Sequence, residues 1–317
     1  MRLALAGDTM LGRKVAEHIT AGRKPWSDAV AALVGDADLA LCNLECCISE
    51  RGERWPDPGK PFFFRAPPVA AELLAELGID AVTLANNHAL DYGRLALRDT
   101  LDHLDAAGIA HTGAGSDVAA ARRPALLEAA GLRLAVAGLS DHPAEYAAAQ
   151  DTPGIAYANL ASGVPVWVGS ALGSCAADVV VVTPHWGPNM VAAPVPHVRA
   201  AAQQLAAAGA HLVAGHSAHC FHGVARSGPT TVCYDLGDFV DDYAVHPERR
   251  NDLGLLWFVE VDERGVTGVE AVPLHLDYCV TRVAGADDAA TIERRLRAAC
   301  APLGTGVRRT GDRLVLE

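Results

Sequence analysis

LALAGDTM, residues 3–10, is an apolar run that ends in a carboxylate. It reads as a first strand with Asp8 at its tip. The same grammar recurs along the chain. LALCNLE (39–45) ends at Glu45, AVTLANNH (81–88) at Asn87 and His88, and VVVVTPHWG (179–187) delivers His185. HLVAGHSAH (211–219) delivers His216 and His219. Strand tips are where an open α/β sheet builds its site. Carboxylate, amide and imidazole are the groups a borderline-hard divalent ion takes as ligands. Such endings repeated in one positional role point to a metal-dependent hydrolase of the α/β class.

Composition sets the outer bounds. The chain has 317 residues, half of them hydrophobic but only 5% aromatic, so its core is built from Ala, Val and Leu. A formal net charge of −12 argues against nucleic acid as a partner, because phosphate backbones select basic surfaces. No run reaches the roughly 18 apolar residues of a membrane span, and the opening apolar stretch is too short for a signal sequence. A cytoplasmic protein without a membrane anchor is expected. The eight cysteines contain no C-x-x-C pair, which disfavours a zinc ribbon or redox motif. Cys46 and Cys47, next to Glu45, read as wall or core residues, since small buried thiols behave as hydrophobes.

Strands alternate with helical segments up to about residue 245. VAAELLAEL (69–77), residues 94–107 and residues 198–208 read as helices, each followed by a glycine: Gly78, Gly108 and Gly209. Glycine is the usual residue just past a helix end. Glu50–Pro68 and Gly187–Pro196 break the rhythm as Pro-rich loops, and long structured loops tend to be functional. Beyond Tyr243, residues 253–261 and 266–273 read as a hairpin, followed by a helix over 289–300 and a short strand over 313–317. The expected division is a catalytic core, residues 1–245, with a small C-terminal β-rich cap, residues 246–317, packed on it.

Glu45 follows a nearly all-apolar strand, where an unpaired carboxylate is costly and a metal bond compensates it. Asn87 supplies a neutral oxygen ligand. The adjacent His88 has a side chain suited to general acid or base work near neutral pH. Asn43 and Asn86 flank these residues as expected supports. Two carboxylates with neutral imidazoles from His185, His216 and His219 suit one or two divalent ions, Mn, Zn, Fe or Mg, and such a pair clamps both oxygens of a displacement. Arg13 and Arg65 lie near presumed mouth loops and have the fork that binds carboxylate or phosphate. His222 and His142 give weaker signals, His222 as a supporting residue beyond His219.

Taken in order, GDTMLGR (7–13), NLE (43–45), LANNHALDYG (84–93), TGAG (112–115), HWG (185–187), GHSAH (215–219) and YDLGDF (234–239) resemble the poly-γ-glutamate synthesis CapA family, a branch of the calcineurin-like metallophosphoesterases. The resemblance covers about residues 3–245. It implies a two-sheet sandwich flanked by helices, with metals at the sheet edges. It also implies that Glu45 bridges the metals. Asp8 and His219 would complete one site, Asn87, His185 and His216 the other, and His88 would act as general acid or anion donor. The chain departs from the pattern twice. Met10 stands where metallophosphoesterases carry the His of D-x-H, and Asp238 stands where the branch has Asn in LGNF. Asp238 is expected to orient a ligand His or bind its own loop. The implied substrate is a small anionic molecule or γ-glutamyl chain. Cleavage of an amide, cleavage of a phosphoester and a non-catalytic accessory role all remain open at this point.

Overall fold

In the computed structural model, which describes every residue from Met1 to Glu317, strand Arg2–Thr9 is buried on both faces. Its alternating side chains enter two different cores. Leu3 and Leu5 meet Leu134, Val136, Val179 and Val181 between two sheets. Ala4 and Ala6 face the opposite way, toward Val15, Val30 and Leu74 on helices. Period-two alternation with both faces apolar is what a strand at the centre of a layered fold requires.

The first sheet has ten strands and the second has six. In the first, Arg2–Thr9, Leu39–Leu44, Ala81–Thr83 and Ala110–Thr112 run parallel in that order. In the second, Leu132–Ser140, Val179–His185, Leu212–Ala214 and Thr230–Cys233 run parallel. Helices cover the outer faces. Ala40, Cys42 and Val82 pack under Val69–Leu77 and Gly93–Ala106. Val180, Val182 and Val213 pack under Val166–Gly173 and Pro196–Ala207. The result is a two-sheet sandwich flanked by helices, the architecture that the family resemblance implies. All the predicted ligand tips lie at the C-terminal ends of parallel strands.

The helix expected over 69–77 has those bounds, and Gly78 closes it at φ +94°. The other two begin one or two residues earlier than expected, at Gly93 and Pro196. The C-terminal part is β-rich, but it is woven into the first sheet instead of lying on it as a cap. Strand Leu253–Asp262 pairs antiparallel with Arg2–Leu5, and Gly265–Asp277 pairs with it in turn. Trp257 is fully buried in the inter-sheet core, and its indole donates to the Leu236 carbonyl. These strands have period-two apolar faces, which lets them close the sheet edge that Arg2–Thr9 would otherwise expose.

Gly7 shows how tightly the site's framework is packed. A Cβ there would meet the Gly237 carbonyl oxygen at 1.7 Å, while the Asp8 amide donates to that same oxygen at 2.9 Å. Gly7→Ala therefore has to displace backbone beside both Asp8 and Asp238. A destabilisation of about 3 kcal/mol is expected, at the upper end of the range for overpacking. Urea denaturation measures it, and a loss below about 1 kcal/mol would mean that the Gly237 loop yields freely.

Candidate metal centre

Parallel register brings the strand tips together. Asp8 lies opposite Asn43 on one side and Asp238 on the other. His185 and His216 form a bridge between neighbouring strand ends, through the Trp186 amide to His216 and the His216 amide to Pro184. The His216–His219 turn is held by Asp235, whose carboxylate accepts from the Ala218 and Gly237 amides at 2.8 and 2.9 Å. Ser217 and His219 have φ of +118° and +56°. Such backbone costs energy in a non-glycine residue and is typical of functional turns.

Two groups of ligand atoms result, each gathered within 4.8 Å: Asp8 with His185 and His216, and Asp8 with His219 and Asp238. Asp8 therefore belongs to both. Glu45, which the resemblance puts at the bridge, has its Oε1 at 3.9 Å from His219 Nε2 and 4.0 Å from His88 Nε2. Glu45 Oε1 and Oε2, Asn87 Oδ1, His185 Nε2 and His216 Nε2 are all buried and have no hydrogen-bond partner. Buried polar atoms are almost always paired, so five orphans (two carboxylate oxygens, an amide oxygen and two imidazole nitrogens) fit the donor set of a divalent metal.

The protonation pattern agrees. Burial, helped by the neighbouring imidazoles, pushes His185 well below its ordinary pKa, and burial outweighs Asp8 in pulling His216 down to about 4. Both are thus neutral, as ligands must be, and their Nδ1 atoms sit 2.8 Å apart. Burial also favours the neutral form of His219, but Asp238, Glu45 and Asp8 outweigh it and hold the ring well above its usual value. Glu45 is pushed well up by burial and then by Asp8. Without metal, protons supply the positive charge the carboxylates need.

Ligands must shed those protons. Both raised pKa values favour the protonated forms of His219 and Glu45 in the metal-free protein. Metal loading should therefore release protons and tighten as pH rises. Calorimetric titrations in buffers of different ionisation enthalpy test this, and a binding enthalpy independent of the buffer would refute it.

The supports are as follows. Asn43 Nδ2 donates to Asp8 Oδ1 at 2.7 Å, and Asn86 Nδ2 donates to Asn43 Oδ1 at 2.9 Å and to the Leu44 carbonyl at 2.8 Å. Asp238 Oδ1 lies 2.8 Å from His219 Nδ1, while its Oδ2 has no hydrogen-bond partner. Met10 is fully buried in the helix-side core, where its sulfur accepts from the Gly12 amide at 3.0 Å. Asp238 thus stands with Asp8 and His219 in the second group of ligand atoms, while Met10 faces away from it.

Three expectations need correction. Arg13 is not a free anion receptor: its guanidinium pairs with Asp242 at 2.6 Å and is flanked by Phe62, Phe64 and Tyr243. Arg65 lies over Tyr92 and lines a groove with Glu17, Thr20, Ser49 and Glu50, which contains none of the cluster residues. His222 touches no ligand residue through its ring. Its Nε2 lies 2.9 Å from the Val191 carbonyl and pins the 187–196 loop.

Other residues lie beside the cluster instead. Asp91 Oδ2 is 2.6 Å from His88 Nδ1, and Lys60 Nζ reaches Asp91 Oδ1 at 3.0 Å and the Asn87 carbonyl at 2.7 Å. Phe64 stacks on His88 with ring centres 4.0 Å apart. His142 lies 5.1 Å from His185, ring to ring, and is held by Asp141. A cavity of about 500 Å³, bordered by Lys60, Asn87, His142 and Tyr146, opens at this edge. Two of these residues carried a sequence signal. Asp91 is three residues beyond His88, and Asp141-His142 follows the apolar run 134–140, another strand tip.

The family model described as "Bacterial capsule synthesis protein PGA_cap" matches residues 2–243. A Mycobacterium tuberculosis protein named "Probable polyglutamine synthesis accessory protein" is 36% identical over 255 residues, covering 76% of this chain and 66% of that protein's length. The Bacillus subtilis "PGA biosynthesis protein CapA" is 26% identical over 277 residues, covering 86% of this chain and 71% of its own. Among solved structures, a Staphylococcus aureus protein described as a 5'-nucleotidase superposes with a TM-score of 0.51 at 14% identity, over 93% of this chain and 57% of that one. That likeness concerns the fold alone. No helix here is long and apolar enough to cross a membrane. With most of its length matched by the family model and by a relative above 30% identity, the chain belongs to the CapA family of bacterial capsule synthesis proteins.

Proposed function

We propose that the chain is a divalent-metal-dependent hydrolase that cleaves an amide bond, γ-glutamyl or peptide-like, in a small anionic substrate. The observation that carries this reading is the set of buried, partnerless atoms on Glu45, Asn87, His185 and His216. Asp8, His185, His216 and Asn87 would hold one ion, and Asp8, His219 and Asp238 another, with Glu45 beside His219. A divalent ion there would supply Lewis acidity to the scissile group and to water. His88 moves the proton. Its Nδ1–H is committed to Asp91, so exchange with substrate takes place at Nε2, which faces Glu45. Burial lowers His88 to about 4 despite Asp91, so the ring is neutral at rest and ready to accept a proton.

The family's link to PGA synthesis favours an amide over a phosphoester. The cation in contact with the cluster, Lys60, is already paired with Asp91, and Arg13 is paired with Asp242. Side chains therefore leave little free positive charge, so an anionic group would rely on the metals themselves. The name of the mycobacterial relative favours a second reading, an accessory role without catalysis. Metal-loaded protein assayed against γ-glutamyl amides and phosphomonoesters separates the readings. Faster phosphoester cleavage would overturn the amide assignment. Full metal content with neither bond cleaved would favour the accessory role.

A further inference from the structure

On the far side of the 187–196 loop, a second cavity of about 320 Å³ gathers Arg199, Arg249 and Arg295. Its walls include Cys220 and Phe221, and Glu248 is the one carboxylate among its lining residues. Acids nearby are already engaged: Asp252 and Asp288 both pair with Arg250. Arg295 is positioned by Phe221, 4.9 Å below its guanidinium, and by one bond to the Arg250 carbonyl at 3.0 Å. Arg199 is anchored through its Nε to the Pro194 carbonyl at 3.1 Å. Three guanidiniums against one carboxylate leave a surplus of two positive charges, in a chain of net charge −12.

Collecting like charges without counter-charges is unfavourable unless an anion completes the set. The fork of arginine fits oxyanions in two-point contact. The volume lies near the lower end of small-molecule sites. We propose that this cavity is a binding site for a small dianion, a dicarboxylate or a phosphate, separate from the metal cluster. Burial pulls Arg295 below the usual arginine pKa, a cost that a bound anion would relieve. The site shares a loop with the metal cluster, because Cys220 directly follows His219 in the chain.

The test is calorimetric titration of the metal-stripped full chain with inorganic phosphate and, separately, with glutarate. Saturable one-site binding is expected, and whichever probe binds more tightly assigns the ligand class. Arg249→Gln and Arg295→Gln should each weaken it about tenfold or more, the effect of losing one charge-assisted hydrogen bond. Arg294→Gln, one position along the helix and bonded to Thr291, should leave it unchanged. Arg249, on the rim, keeps the test valid if Arg295→Gln fails to fold. Saturation by neither probe, or binding that survives both arginine variants, would overturn the proposal. Stripping the metal makes either outcome independent of the hydrolase reading.

Discussion

Glu45→Gln is expected to lose metal and turnover while leaving the metal-free fold as stable as before, or more so. The two halves of that expectation have one cause. The carboxyl is fully buried, both oxygens lack partners, and burial already holds it well above its ordinary pKa. In the metal-free protein burial thus favours its neutral form, and a neutral amide of the same shape costs little in its place. In the loaded protein a negative ligand is required, and Gln cannot supply it. Metal affinity should fall by more than about 100-fold, beyond the cost of losing an outer partner of a ligand. Elemental analysis and paired thermal melts with and without metal check both halves. Wild-type metal content in the variant would remove Glu45 from the ligand set.

His88→Ala should behave in the opposite way, keeping its metal while turnover falls by about 10²–10⁴-fold, the usual contribution of a positioned proton donor or acceptor. The ring is clamped by Asp91 on one edge and by Phe64 on its face, and its Nε2 is 4.0 Å from Glu45. Asp91→Asn should retain more activity than His88→Ala, because it disturbs orientation and leaves Nε2 in place. Loss of metal from His88→Ala would make the ring a ligand. Unchanged turnover would take proton transfer away from it.

What the sequence made legible was whatever is local. A polar residue ending an apolar run shows in the run itself, so Asp8, Glu45, Asn87, His185, His216 and His219 could be picked out one by one. The helix over 69–77 followed from its apolar spacing and from Gly78, whose φ of +94° a side chain would resist. The same rule, applied to the apolar run before Asp141-His142, leads to a ring 5.1 Å from His185.

The arginines show the opposite case. Arg13 opens the helix Arg13–Thr20 and Arg65 lies in the short strand Arg65–Ala66, both close to the site in the chain, but a position in the chain does not say where a long side chain ends. Asp242, more than two hundred residues away, captures Arg13, and Tyr92 takes Arg65. Lys60 reaches Asn87 and Asp91 only because the 50–68 loop folds back over the tip of strand Ala81–Thr83.

The sequence by itself determined the class of fold, the strand tips that carry ligand-type residues and the family. Each depends on patterns a few residues long. Only the tertiary structure decided that the last strands complete the first sheet beside Arg2–Thr9. It also decided that Asp8 belongs to both ligand groups and that Asp238 stands beside His219, and it turned the Met10 sulfur toward Gly12. The reason is physical. Backbone propensity and apolar period act over a turn or a strand, whereas the partner of a buried charge is set by sheet register. That register follows from burying Leu3, Leu5, Val181 and Trp257 in one core, and those residues come from both ends and the middle of the chain.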